Sequence, residues 1–163
     1  MYDWKTFTYH QELRVGFKNG WLHRDWAKRY PELFDADDRR LAESQAGKGS
    51  HFFEWFAAIR VYEATQHLSL LEKYHFQRHE AKFALFTRLV PQDLVSLLCF
   101  NKRFGSRGGP DLLCYRPNSP DWFFCEVKGP GDEVRPAQLE VFQAIEEIVE
   151  EPIRLVTIEK VLE

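Results

Sequence analysis

Hydrophobic positions fall along the chain in three rhythms. Phe52-Phe53-Glu54-Trp55-Phe56-Ala57-Ala58-Ile59 is apolar on every side of a helical turn except for one acid. It predicts a helix to about Gln66 that has no face to offer water and must lie centrally. Gly47-Lys48-Gly49-Ser50 marks its upstream boundary. Two short apolar runs, Asp111 to Arg116 and Trp122 to Lys128, are joined by Pro117-Asn118-Ser119-Pro120-Asp121 and predict an antiparallel pair of strands. After Gly129-Pro130-Gly131, Pro136 suits the first turn of a helix, with Gln138, Phe142, Ile145 and Val149 following at helical spacing as far as Pro152. Ile153 to Ile158 predicts a last strand.

Elsewhere the pattern is weaker. Pro31 and the polar run Asp35 to Arg40 punctuate an N-terminal stretch that reads as a helical extension over residues 1–48, ahead of a main unit over 49–163. Glu80–Leu89 and Asp93–Phe100 carry helical spacing. Leu68 to Phe76 fits either a helix continuation or a strand.

With 163 residues, 44% hydrophobic and 29% charged, the chain has enough apolar material for one buried core, which excludes disordered and low-complexity classes. No stretch approaches the ~20 apolar residues of a membrane span, so no membrane partner is expected. Met1-Tyr2-Asp3-Trp4 has none of the features of a signal peptide. Cys99, Cys114 and Cys125 form no CxxC pair and are odd in number, which fits a reducing, cytoplasmic setting and argues against structural zinc. Net charge is −3, but residues 1–59, 60–135 and 136–163 balance to 0, +2 and −5, so an anion would be met by the middle of the chain.

The second predicted strand is apolar on both faces yet ends in Glu126 and Lys128, two apart and therefore on one side, ~6.6 Å apart along the strand. Burying an acid and an ammonium there costs several kcal/mol per ion unless another charge offsets it, as a divalent cation does. Asp111 opens the first strand and returns beside that end if the register is right. Pairing Pro117 with Trp122, around a four-residue loop Asn118 to Asp121, sets Asp111 opposite Lys128 and diagonal to Glu126. That register, or a bulge restoring it, is the expectation. Two carboxylates that bind a hard cation through oxygen, with a lysine beside an attacking water, make a hydrolase site.

Pro110-Asp111 followed by Glu126-Val127-Lys128 resembles the PD-(D/E)XK nuclease signature. The fuller string, Gly109-Pro110-Asp111-Leu112 with Phe124 to Asp132 and Gln138, resembles the VRR-NUC family within that superfamily. The close likeness covers about thirty residues, Gly109 to Gln138. The resemblance implies a restriction-endonuclease-like α/β core, α-β-β-β-α-β with a mixed sheet, and a Mg²⁺- or Mn²⁺-dependent endonuclease acting on DNA. It further implies that Asp111, Glu126 and the Val127 carbonyl hold metal, that Lys128 assists the water, and that Gln138 orients the site. An acid on the first core helix, here Glu54, completes the implied set, with Glu63 as its substitute.

Lys102, Arg103 and Arg107, just upstream, are candidate phosphate contacts. His75 and His79, four apart, read as ordinary histidines, and Phe52, Phe53, Trp55 and Phe56 as core. A homodimer presenting two sites to branched DNA is expected. Two other readings remain: a non-catalytic nuclease-fold module that binds DNA or a partner protein, and a nuclease toxin, secreted or not, held by a cognate inhibitor.

Overall fold

The computed structural model describes residues 1–71, 73–100 and 108–162. Five strands form one mixed sheet: β1 (Tyr2–Tyr9), β2 (Leu68–Leu71), β3 (Leu112–Tyr115), β4 (Trp122–Lys128) and β5 (Arg154–Lys160), in the order β1-β5-β4-β3-β2. β2–β3 and β3–β4 are antiparallel, whereas β4–β5 and β1–β5 are parallel. Among the described residues seven α-helices flank it: α1 (Gln11–Lys18), α2 (Trp21–Arg29), α3 (Ala36–Lys48), α4 (Phe52–Thr65), α5 (Glu80–Leu89), α6 (Gln92–Phe100) and α7 (Pro136–Val149). None is long and apolar enough to cross a membrane.

Strand alternation sorts the interior into two layers. Leu112, Cys114, Phe123, Cys125, Val127, Val156 and Ile158 turn to the face covered by α1 to α4. Leu113 and Phe124 turn to the face covered by α5, α6 and α7, where Phe86, Leu94, Phe142 and Ile145 meet them. α4 is the helix expected to lack a wet side, and Phe52, Trp55, Phe56, Ala57, Ala58, Ile59 and Val61 along it are buried. Each large apolar side chain removed from water contributes about 1.5–3 kcal/mol, so this one helix anchors its layer. All three cysteines are free thiols.

The extension read as helical over residues 1–48 carries three α-helices and also a strand, at residues 2–9. Tyr2-Asp3-Trp4-Lys5-Thr6-Phe7-Thr8-Tyr9 is rich in aromatic and β-branched residues and pairs with β5 from Tyr2↔Arg154 to Tyr9↔Lys160. Its low apolar contrast is that of an edge strand, largely exposed, with Tyr9 alone fully buried. The extension therefore completes the sheet. The polar run Asp35 to Arg40, read as punctuation, instead opens α3, which is capped by the Asp35 carboxylate accepting the Asp38 N–H at 2.7 Å and closed by Gly49 at φ 67°.

The ambiguous stretch after α4 resolves into β2, four residues buried on both faces, and residues 73–79 are irregular backbone. His75 and His79 thus share no helix, and His79 immediately precedes α5. Lys82 on α5 is buried, 2.5 Å from the buried Asp38 carboxylate of α3, and donates to the Leu71 carbonyl at 3.1 Å. Burial pushes the Asp38 carboxyl up, and the Lys82 charge opposes that shift.

Candidate active site at the end of the central hairpin

The β3–β4 register differs from the expected one. Tyr115 pairs with Trp122 and Leu112 with Cys125, two residues from the Pro117–Trp122 pairing. Six residues, 116–121, make the connection, closed by Arg116 N–H to the Asp121 carbonyl at 3.3 Å. Two prolines in that connection cannot donate to a ladder, so pairing stops earlier than a four-residue loop requires. A two-residue shift preserves which face each side chain takes. Continued by one residue, the observed register sets Asp111 directly across from Glu126 instead of Lys128.

Glu126 is 1% exposed on a strand bounded by β3 and β5. Its Oε1 receives two donors: the Lys128 ammonium at 2.7 Å and Gln138 Nε2 at 2.9 Å. Gln138 sits in the first turn of α7, where its Oε1 accepts the Arg135 N–H at 3.1 Å and Lys128 Nζ at 3.3 Å. One amide thus caps a helix, fixes its own orientation and ties together the acid and the lysine. Among the described residues Glu126 Oε2, buried, has no hydrogen-bond partner of fixed geometry, and the Asp111 carboxyl interacts with the Glu126 side chain. A buried carboxylate oxygen left bare costs free energy, which a cation beside it would offset.

Asp111 lies beside it. Its Oδ2 accepts the Val127 N–H at 2.8 Å. In an extended strand a residue's N–H and C=O turn to the same side, so the Val127 carbonyl also faces past the end of β3, toward Asp111. Burial, first, and the neighbouring Glu126 charge, second, hold the Asp111 carboxyl well above the usual aspartate range. Tyr74, buried, anchors the approach to Asp111 by donating its hydroxyl to the Pro110 carbonyl at 2.7 Å. That phenol is held protonated far above its ordinary range, by burial and then by Asp111 and Glu126. A Cβ on Gly109 would stand 2.9 Å from the Tyr74 hydroxyl oxygen, which explains the glycine before Pro110. Tyr74 was not expected in the site; the turn Lys73-Tyr74-His75-Phe76 carries two aromatic residues and no signal that separates them.

The strand ends at a tight turn, Gly129-Pro130-Gly131-Asp132, with Asp132 N–H on the Gly129 carbonyl at 3.1 Å and Gly131 at φ 80°. Proline then glycine at the central positions is the requirement of a type II turn. Phe53 of α4 packs on Gly129 so closely that a Cβ there would lie 2.6 Å from the ring. That contact draws the start of α4 to the end of β4.

Glu54 stands on the far layer, because its helix covers the Val127 face whereas Asp111, Glu126 and Lys128 turn toward α7. Its charge reaches Asp111, as a smaller influence than that of Glu126, and its Oε1 is 3.4 Å from His51 Nδ1. Glu63, nine residues along α4 and therefore about 13 Å away, is bound to Arg60 at 2.6 Å and to the Tyr30 hydroxyl. Glu63 is thus engaged away from Asp111 and Glu126. Lys102, Arg103 and Arg107 lie outside the described residues.

Among the described residues no three His, Cys, Asp or Glu side chains form a ready metal-binding group. The groups that could hold a cation are the bare Glu126 oxygen, the Asp111 carboxylate and the Val127 carbonyl. An all-oxygen donor set of this kind suits a hard ion such as Mg²⁺ or Mn²⁺, and the bare buried oxygen beside a second carboxylate fits it. The chain matches no known family model, and no curated protein or solved structure is significantly similar to it.

Proposed function

We propose that this protein is a divalent-metal-dependent endonuclease of the PD-(D/E)XK type that hydrolyses phosphodiesters in DNA, with a preference for branched or otherwise non-uniform duplexes. The observation that carries the reading is the convergence, at one strand end, of Asp111, Glu126 with its bare oxygen, Lys128 and Gln138. The element order from α4 onward also supports it: helix, strand, two inserted helices, two strands, helix, strand. Removing the α5–α6 insertion leaves α-β-β-β-α-β.

Mg²⁺ or Mn²⁺ bound by Asp111, Glu126 and the Val127 carbonyl, with Glu54 at the margin, would neutralise phosphate charge and make a nucleophile of bound water. Lys128 presents an ammonium that both balances Glu126 and faces the place where charge develops on phosphorus oxygens. Gln138 keeps that ammonium from swinging away, since it holds Lys128 and Glu126 at once. Selectivity by DNA shape, rather than base readout, is part of the proposal.

The test is cleavage of labelled four-way junction, flap, duplex and single-stranded DNA in Mg²⁺, Mn²⁺ or EDTA, with Lys128→Ala alongside. Metal-dependent cutting that the variant loses is the expected result. Binding without cutting under every metal would favour a DNA-binding module instead.

A further inference from the structure

Where α3 ends, α4 begins and the irregular segment after β2 passes, a cleft of about 310 Å³ opens. Lys48, from the last turn of α3, and Lys73 and Arg78, from the segment after β2, line it together with His51 and His79. All three cations are exposed, and none pairs with a carboxylate among the described residues. No described residue lining the cleft is acidic. Cations from two distant stretches of chain converging on one concave surface repel one another, and an anion relieves that repulsion.

The cleft is also tied to the candidate site. His51, in its wall, lies 3.4 Å from Glu54, whose charge is felt at Asp111. His51 takes the left-handed conformation, φ 61°, at the start of α4, and Gly49 does the same at φ 67°. Two left-handed residues within three positions make the sharp bend that brings the end of α3 beside the start of α4.

We propose that this cleft binds a backbone phosphate of the nucleic-acid strand entering the candidate active site, with Lys48, Lys73 and Arg78 as its contacts. The proposal rests on the nuclease reading for the direction of the strand, but the phosphate site is testable by binding alone. At its wall, burial and then Lys82, which lies outside the cleft, push the His79 imidazole toward its neutral form, and the charges of Arg78 and Lys73 add to that. A strand held here would run past His51 and Glu54 to Asp111.

The experiment measures binding of the full chain to a labelled duplex in EDTA by fluorescence anisotropy over a salt series. The triple variant Lys48→Ala/Lys73→Ala/Arg78→Ala is compared with a charge-matched control, Arg24→Ala/Lys28→Ala/Arg39→Ala, in the separate cleft between α2 and α3. The first triple should lower the slope of log K against log salt by roughly 3, one for each lost phosphate contact, and the control should not. Equal slopes for wild type and the first triple, or equal losses in both triples, would overturn the proposal. So would protection of Lys48 and Lys73 from acylation by inorganic phosphate but not by the duplex, which identifies a small-anion pocket. A trio-dependent slope without cleavage in any metal removes the nuclease reading and keeps the phosphate site; cleavage with an unchanged slope does the reverse.

Discussion

Glu126 and Lys128, two positions apart on β4, meet at one oxygen: the Lys128 ammonium is 2.7 Å from Glu126 Oε1 while Oε2 stays bare. Removing the ammonium leaves a buried carboxylate short of its cation. Lys128→Ala should therefore destabilise the protein by about 3 kcal/mol, the low end for breaking a buried pair, because Lys128 itself is partly exposed. It should also slow cleavage by on the order of 10²–10⁴-fold. Adding Glu126→Gln should restore most of the stability and none of the activity. Urea unfolding of the single and double variants checks the coupling, and additive losses would argue against it.

Asp111 sets a pH dependence whose sign is opposite to that of an ordinary paired carboxylate. Its carboxyl is held above the value it has in the unfolded chain, by burial and by Glu126. As pH rises above about 4, the folded state keeps a proton that the unfolded state gives up, so stability falls until the raised folded value is passed and then levels off. Asp111→Asn removes that fall. In EDTA the variant should match the wild type near pH 4 and exceed it at neutral pH, as measured by urea midpoints across that range. Mg²⁺ should raise the wild-type midpoint and leave that of Asp111→Asn unchanged.

The two acids of α4 separate function from surface chemistry. Glu54→Gln should lower metal-dependent cleavage while hardly altering the fold. Glu63→Gln should leave cleavage intact and cost less than about 1 kcal/mol, since Glu63 and Arg60 form a half-exposed pair. Cleavage rates at saturating metal distinguish them; equal rates for both variants would remove Glu54 from the site.

Tyr74→Phe removes one hydroxyl and leaves the buried Pro110 carbonyl without its donor. The expected loss is about 1–3 kcal/mol by chemical denaturation. Because Pro110 precedes Asp111, the variant should also need more Mg²⁺ for half-maximal cleavage. A stability loss with an unchanged metal requirement would confine Tyr74 to packing.

Much of the site was legible because its residues are odd where they stand. A charged pair closing an apolar strand, a glycine-proline-glycine stop and a proline-led helix are local signals, and each resolves to an element at nearly the expected bounds. Register was not local. It is set by where Pro117 and Pro120 let the ladder end, and the shift by two left the face assignment intact while changing the neighbour of Asp111. β2 escaped because four residues buried on both faces show no alternation. β1 escaped for the opposite reason, as an exposed edge strand with little apolar contrast. Tyr74 was invisible because its role is a single hydroxyl reaching a backbone carbonyl thirty-six residues away.

The pairing of β1 with β5 joins Tyr2 to Arg154 and Tyr9 to Lys160, residues separated by about 150 positions. Closing so long a loop is entropically slow, so this contact should be among the last to form on folding. Until then β5 offers an open edge, and Phe7 and Tyr9, which later lie against the α1–α4 layer, stay wet. The β3–β4 hairpin and α7 can assemble from neighbouring segments well before that. Docking of the first strand, at a sheet edge separated by β5 from the strand that carries Glu126 and Lys128, should thus be a late step of folding.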